Sequence, residues 1–285
     1  MPTALKPAAI QTAFLEACDD ELRALKPGNV HIFDAGHGME VKHFEDGAKA
    51  AAPYIADPRL MVGARILKAT EASFAATGLN TNLGIILLCA PLAKAAAETD
   101  LATGLRRRLA LILSELDVSD AVDTFAAIRI ANPGGLGGTE ASDVHAAPTV
   151  TLIEAMNLAA HRDRIANAYV TAFSDIFDFA LPALHDARSL AETGELAIAT
   201  LHMTLLAGYP DTHIARKYGA AAAVAVQQQA RDLRSCWFPA AKQHSTAELS
   251  KFDRDLKAQG LNPGTTADFV VATLFAERLT NKKQP

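Results

Sequence analysis

The 285-residue sequence contains few aromatic residues, few cysteines and no excess of positive charge. Aromatic side chains make up 6% of the chain, which disfavours β-sandwiches and barrels, because their strands draw on aromatic and β-branched residues. The three cysteines, Cys18, Cys89 and Cys236, are far apart and form no C-x-x-C pair. They exclude a disulfide framework and predict reduced thiols in a cytosolic protein.

Positive charge is outnumbered, with 27 Lys and Arg against 32 Asp and Glu, a net charge of −5, and no basic tail. This balance disfavours a protein that coats nucleic acid. The longest apolar stretch, residues 83–93, is about half of a bilayer span. Residues 1–16 lack the continuous apolar run of a signal peptide. We therefore expect a soluble, cytoplasmic protein with no membrane span and no nucleic-acid partner.

Alanine is the dominant residue, with 58 copies, and 33 leucines raise the two together to about a third of the chain. Alanine favours helices because it loses no rotamer entropy there, and it is a poor strand former. Helical periodicity recurs between short Gly, Pro and Asn turns. We predict an all-α fold, a single domain over residues 1–285 with about a dozen helices. The predicted helices span 8–25, 42–55, 60–77, 83–98, 101–116, 119–131, 149–160, 163–186, 194–207, 212–234, 246–259 and 266–279.

Five loops between these helices collect the Asn, Gly, Asp and Thr residues. They are residues 26–31, 78–84, 131–143, 209–212 and 262–268. Carboxamides and backbone amides at helix N-termini bind phosphate and ribose hydroxyls. The P-loop and Rossmann glycine patterns are both absent from the sequence. The glycine-rich part of loop 131–143 either ends a helix or closes over a ligand.

Cations in two of the loops have two interpretations each. Lys26 lies at a helix end, where the helix dipole favours it, but Asn29 and His31 in the same turn favour a ligand-binding role. Arg216 and Lys217 are predicted in the first turn of a helix, where cations oppose the dipole. A bound anion explains that placement better than a solvated face.

Acidic residues have two interpretations as well. Asp211 is either the N-cap of a helix or a ligand for a metal ion or a hydroxyl. Asp268 fits a capping box with Thr265. Glu71 either pairs with Lys68 on the surface or faces inward, where it would be available as a metal ligand or a base.

Taken together, the five loops resemble the family of triphosphoribosyl-dephospho-CoA synthases. These are all-α enzymes that make the prosthetic-group precursor for acyl carrier proteins of the citrate and malonate lyase type. The resemblance rests on Lys26-Pro27-Gly28, Asn80-Thr81 with Gly84, Pro210-Asp211 with Arg216-Lys217, Asn262-Pro263-Gly264 and Asp268. It implies that the 2′-hydroxyl of dephospho-CoA attacks the ribose C1 of ATP, adenine leaves, and the triphosphate stays on the transferred sugar.

The implied chemistry assigns roles to the loop residues. Loss of adenine passes through an oxocarbenium-like centre, which calls for a carboxylate that takes the hydroxyl proton or stabilises positive charge. The triphosphate calls for Mg²⁺ and basic side chains. The candidate catalytic acids and Mg²⁺ ligands are Glu71, Asp143 and Asp211. The candidate triphosphate clamps are Lys26, Arg216 and Lys217. The remaining candidate substrate-binding residues are Asn29, His31, Asn80, Asn82, Asn132, Asn262 and Asp268, and a homodimer is a further prediction.

The chain departs from the lyase-linked synthases at the predicted site. They read Lys-Pro-Gly-Leu-Val-Asp at residues 26–31 and Asn-Thr-His-Lys-Gly at residues 80–84, where this chain reads KPGNVH and NTNLG. Their Gly-Ala-Arg-Gly-Glu-Ala stretch is replaced by residues 132–137 and Asp143. The chain is similar to a divergent branch in archaea and methylotrophic bacteria, associated with tetrahydromethanopterin and methylofuran pathways. Two alternatives stay open: a nucleotide-dependent enzyme of one-carbon cofactor synthesis with another acceptor, and a non-catalytic nucleotide-binding protein.

Overall fold

A computed structural model of the protein describes residues 4–98, 104–132 and 148–281. Within these ranges the chain forms fifteen α-helices, a π-helical segment (Asp175–Ala180) and a 3-10 turn (Gln243–Ser245), and it forms no strand. The all-α prediction is confirmed. His31 and Asp34 form an isolated antiparallel bridge.

The first eight helices lie before the π-helical segment. They are α1 (Pro7–Arg23), α2 (Val41–Ile55), α3 (Val62–Thr77), α4 (Leu83–Ala97), α5 (Leu105–Ser114), α6 (Val118–Ala131), α7 (Leu152–Ala159) and α8 (Arg164–Val170). Seven follow it. They are α9 (Leu181–Leu190), α10 (Gly194–Gly208), α11 (Thr212–Tyr218), α12 (Ala220–Asp232), α13 (Arg234–Trp237), α14 (Thr246–Ala258) and α15 (Gly264–Asn281).

The chain divides into two compact units, with boundaries inside α1, α2 and α15 and at the start of the π-helical segment. The first unit comprises Met1–Ala17, His43–Ser174 and Leu274–Pro285, and in it α3 packs against α6 and α4. The second comprises Cys18–Lys42 and Asp175–Thr273, and in it α10 packs against α9 and α12. One domain over residues 1–285 stays a prediction.

Two predicted helices are interrupted in the structure, so their prediction as continuous helices was wrong. The helix predicted over 163–186 breaks after α8, where Ala172 and Phe173 adopt positive φ angles of 47° and 58°. This break turns the Phe173 side chain into the core, where it packs beside Tyr169. The helix predicted over 212–234 ends at Tyr218 because Gly219 takes a φ of 89°, and α12 starts after it.

The first unit contains a very close approach between two helices. Gly63 lies in the first turn of α3, and a Cβ on it would be 2.4 Å from Asp120 Cα of α6. The Gly63 amide donates to Asp120 Oδ1 at 2.7 Å, so the side chain of Asp120 satisfies an N-terminal amide of α3. The other Asp120 oxygen accepts from the Asp117 amide and completes the capping box of α6. Small size at Gly63 thus permits one carboxylate to serve two helix starts.

No helix in the described ranges is both long enough and apolar enough to cross a membrane.

We expect Gly63→Ala to destabilise the protein. The added methyl group cannot fit without moving the backbone of α6, and overpacking of this kind costs about 1–3 kcal/mol. Gly194→Ala is a matched control, because Gly194 also lies at a helix start and a Cβ there would meet open space. Thermal unfolding should show a lower midpoint for Gly63→Ala alone. Equal midpoints for the two variants would contradict the close approach.

Candidate active site

Two of the predicted loops lie against each other in the second unit. Gly28 has a φ of 83°, and a Cβ on it would come within 3 Å of Pro263 Cδ and Leu261 O. Beside this contact, Asn29 Nδ2 donates to Asn262 Oδ1 at 2.8 Å. A hydrogen bond between two carboxamides therefore joins loops 26–31 and 262–268. Both residues, Asn29 and Asn262, were predicted to bind substrate.

Lys26 is fully buried and already has two partners. Its ammonium lies 2.8 Å from Glu21 Oε1 and donates to the Val30 carbonyl at 2.6 Å. Burial lowers the pKa of Lys26, while the Glu21 carboxylate opposes that shift. Burial likewise raises the pKa of Glu21, and Lys26 opposes it. In this arrangement Lys26 closes its own loop and does not present a charge to solvent.

Asp253 of α14 holds the same loop from the other side. Its Oδ1 accepts the Gly28 amide proton at 2.8 Å, and its Oδ2 lies 3.2 Å from His31 Nε2 and 3.0 Å from Lys257 Nζ. Burial alone would raise the pKa of Asp253, but the contacts with His31, Lys257 and the Gly28 amide hold it below its ordinary value. Burial lowers the pKa of His31, against the opposing effect of Asp253. The loop thus contains a buried imidazole paired with a carboxylate.

A third predicted loop joins this group through Asp211. Asp211 is the N-cap of α11, since its Oδ1 accepts the Ile214 amide proton at 3.0 Å. Its Oδ2 accepts from both the amide and the hydroxyl of Thr266, each at 2.8 Å. Burial raises the pKa of Asp211, and the hydrogen bonds from Ile214 and Thr266 oppose that shift. The capping interpretation is confirmed, and the same carboxylate also fixes the first turn of α15.

The prediction that Arg216 and Lys217 lie in the first turn of a helix was wrong. They lie in the last turn of α11, because this helix ends at Tyr218 and does not continue to residue 234. Cations in a last turn are stabilised by the helix dipole and require no anion to explain them. Arg216 is half-buried and Lys217 is exposed, so both stay accessible in part.

The capping box predicted for Thr265 and Asp268 was also wrong. The helix α15 begins at Gly264, so Thr265 lies inside it, and the hydroxyl of Thr265 accepts from the Thr212 hydroxyl at 3.2 Å. Asp268 is half-buried in α15.

The fourth loop, 78–84, lies in the first unit at the start of α4. Asn80 is exposed, whereas Asn82 is buried against α2. With its amide turned over, Asn82 donates to Thr81 O at 3.1 Å and accepts from the Ala48 amide at 3.0 Å. A Cβ on Gly47 would lie within 3 Å of polar atoms of Ser73, Thr81 and Asn82. Residue 47 must therefore be small for this group of polar side chains to assemble.

The remaining predicted residues lie in the first unit or outside the described residues. Glu71 is exposed on α3, and Asn132 is exposed at the C-cap of α6, with φ 40° and ψ 57°. Asp143 lies outside the described residues. Within the described ranges, no three His, Cys, Asp or Glu side chains are grouped so as to hold a metal ion. Asp211 accepts three hydrogen bonds with its two oxygens, so most of its acceptor capacity is used in fixing helix starts.

Sequence reasoning missed Glu21 and Asp253, two buried carboxylates that hold loop 26–31. The sequence nevertheless carries a signal for each. Asp253 falls on the apolar stripe of α14 with Leu249, Phe252 and Leu256, at i, i+3, i+4 and i+7. Glu21 continues the buried face of α1 in the same way. An acidic residue at a core position of an amphipathic helix predicts a buried partner.

Comparisons with known proteins agree with the resemblance seen in the loops. The chain matches the family model for ATP:dephospho-CoA triphosphoribosyl transferase over residues 7–285. Among solved structures, it is similar to a candidate triphosphoribosyl-dephospho-CoA synthase from Archaeoglobus fulgidus, with 23% identity and a TM-score of 0.64. That similarity covers 84% of this chain and 99% of the other, and at this identity it shows a shared fold. No curated protein matches.

We expect Asp211→Asn to destabilise the protein by about 2 kcal/mol or more, although Asn is as good an N-cap as Asp. Asp211 accepts hydrogen bonds with both oxygens. Whichever way an Asn amide turns, its NH₂ group faces a backbone N–H donor and leaves it unpaired. Chemical denaturation would measure the loss.

The matched control for this change is Asp117→Asn. Asp117 caps α6 from an exposed position, with Oδ1 accepting from the Asp120 amide at 2.9 Å. An Asn can reproduce that bond, so the control should lose little stability. Similar losses for the two variants would mean that the Thr266 contacts contribute nothing.

Proposed function

Because the chain belongs to the ATP:dephospho-CoA triphosphoribosyl transferase family, we propose that it moves the 5-triphosphoribosyl group of ATP to the 2′-hydroxyl of 3′-dephospho-CoA and releases adenine. The observation that carries this proposal is the family match over residues 7–285, which includes all five predicted loops. The chain is thus a transferase, and ATP and dephospho-CoA are its proposed substrates. It has no need of a nucleic-acid partner for this reaction.

The joined loops of the second unit support the proposal chemically. The bond from Asn29 Nδ2 to Asn262 Oδ1 leaves one amide oxygen and one amide nitrogen of the pair for other partners. One donor and one acceptor are what the edge of an adenine ring requires, since it presents an N–H₂ group next to a ring nitrogen. In this proposal the two carboxamides orient the base of ATP. Lys26 then acts by holding the loop that carries Asn29.

Arg216 and Lys217 are the proposed contacts for the triphosphate. Their charges lie on a short helix that is anchored at its start by Asp211, so the two side chains extend from a fixed backbone. Charge-assisted hydrogen bonds from Arg and Lys are the strongest that a phosphate accepts. No step of the reaction is assigned to Mg²⁺, because the described carboxylates do not form a ligand group.

The proposed reaction is tested by incubating the protein with ATP and dephospho-CoA and separating the mixture by chromatography with mass detection. We expect free adenine and a product with the mass of dephospho-CoA plus the triphosphoribosyl group, in equal amounts. Omitting dephospho-CoA should abolish adenine release. Absence of adenine in the complete mixture, or formation of ADP or AMP in its place, would contradict the proposal.

A second prediction concerns the triphosphate contact. Lys217→Ala should weaken ATP binding about tenfold, since it removes one charge-assisted contact. Titration calorimetry measures the dissociation constant. Lys251→Ala, which removes an equally exposed lysine from α14, should bind ATP as the parent does. An unchanged dissociation constant for Lys217→Ala would remove Lys217 from the site.

A further inference from the structure

The His31 side chain has one buried ring nitrogen that forms no hydrogen bond within the described residues. The residue is 1% exposed, and in the described part of the chain Nδ1 has no hydrogen-bond partner. The other ring nitrogen, Nε2, lies 3.2 Å from Asp253 Oδ2. An unpaired buried polar atom costs free energy, so its presence calls for a physical explanation, and a catalytic role is one.

The neighbours of His31 determine which nitrogen carries the proton. Lys257 Nζ lies 3.4 Å from His31 Nε2, but it has only three hydrogens to donate, and three acceptors are closer. They are Asp253 Oδ2 at 3.0 Å and the Oδ2 and backbone O atoms of Asp34, each at 3.2 Å. The carboxylate of Asp253 can only accept, so the neutral imidazole places its hydrogen on Nε2 and donates to Asp253. The lone pair is then on Nδ1, the unpartnered nitrogen. A carboxylate that fixes the tautomer of a histidine is the arrangement that prepares an imidazole to take a proton.

We propose that His31 is the general base of the transfer, accepting the proton of the acceptor hydroxyl at Nδ1, and that Asp253 is the positioning residue that keeps this lone pair available. This inference rests on the proposed function. It replaces the carboxylates Glu71 and Asp211 in that role, since Glu71 is exposed and the oxygens of Asp211 are engaged in two helix caps.

The step balances without any other reactant. The oxygen of the 2′-hydroxyl forms a bond to C1 of the ATP ribose as its hydrogen passes to His31 Nδ1. The bond between C1 and the adenine nitrogen breaks, and its electron pair leaves with adenine. Adenine takes up one proton from water, and the imidazolium returns one to water, so the net reaction is ATP plus dephospho-CoA to product plus adenine.

The surroundings of the ring lower the pKa of His31. The groups that face it are Asp253 and Lys257 from α14, Lys26 from its own loop and His202 from α10. Burial is the largest influence and lowers the pKa of His31, and Lys257 and Lys26 add to that effect. A depressed pKa keeps the base form populated as the pH falls below about 6.5, the ordinary value for histidine. The rate should therefore decline only at a lower pH.

Access to Nδ1 involves the turn that follows His31. Ile32 and Phe33 are exposed at its tip, and the Phe33 ring centroid lies 5.8 Å from that of His31. Hydrogen bonds between His31 and Asp34 close the turn, and Lys257 holds Asp34 from α14. Because His31 is 1% exposed, the proposal requires this turn to move before the acceptor reaches Nδ1, which breaks the contact between Lys257 and Asp34.

The test is steady-state kinetics of adenine release by the full-length protein. His31→Ala should lower kcat about 100- to 10,000-fold, the usual contribution of a general base, and change the KM for dephospho-CoA less than threefold. Added imidazole should restore part of the lost rate, which a merely structural role would not allow. His31→Gln serves if the alanine variant does not fold. The exposed His185→Gln is the matched control and should keep the parent rate.

Asp253→Asn tests the positioning role through the pH profile of the reaction. Without the carboxylate the imidazole loses its tautomer control, so kcat at its plateau should fall about 100-fold or more. The acid limb of the pH profile should also move to lower pH, because the interaction that raises the pKa of His31 is gone. An unmoved limb, a His31 variant within threefold of the parent rate, or a loss without imidazole rescue would each overturn the assignment. If the parent protein releases no adenine, the proposed function itself is contradicted.

Discussion

The hydrogen bonds of the buried Asp253 carboxylate are the contacts on which the loops of the second unit depend. One oxygen accepts from the Gly28 amide, and the other meets His31 and Lys257. A buried carboxylate is tolerated only when its oxygens are satisfied, so α14 and the loop stabilise each other. Because Gly28 also abuts Pro263, fixing its amide sets the neighbouring Asn29 against Asn262.

The Lys26–Glu21 pair is a second contact that holds loop 26–31. It fixes the position of the loop more than it adds to the free energy of folding. Replacing a buried ion pair by apolar residues of similar size is often neutral or stabilising, because both charges must be desolvated. What an apolar pair could not supply is the hydrogen bond from Lys26 to Val30 O, which closes the turn that ends in His31. The buried carboxylates of Glu21 and Asp253 thus hold this turn from opposite ends.

Much of the fold could be predicted from the sequence, because alanine content, helical periodicity and Gly/Pro punctuation act locally. Periodicity continues across a short break, however, so the interruptions at Phe173 and Gly219 were missed. The loops of the candidate site were predicted, and three of them meet through Asn29–Asn262 and Asp211–Thr266. Those pairings join residues far apart in the chain, and no local pattern specifies them. Asp253 was missed because charged residues in a helix are usually solvated, although its place on the apolar stripe of α14 marks it.

The correction at α11 changes how an anion would be held there. Had Arg216 and Lys217 lain in a first turn, backbone amides would have added to their charge. In a last turn the nearby carbonyls repel an anion, so the two side chains must supply the attraction alone. The charge of Asp211 also interacts with that of Arg216, which reduces the positive potential that Arg216 offers a phosphate. Binding by side-chain charge alone is strongly screened by salt. If these two cations hold the triphosphate, ATP affinity should fall steeply with ionic strength, more than a helix N-terminal site would allow.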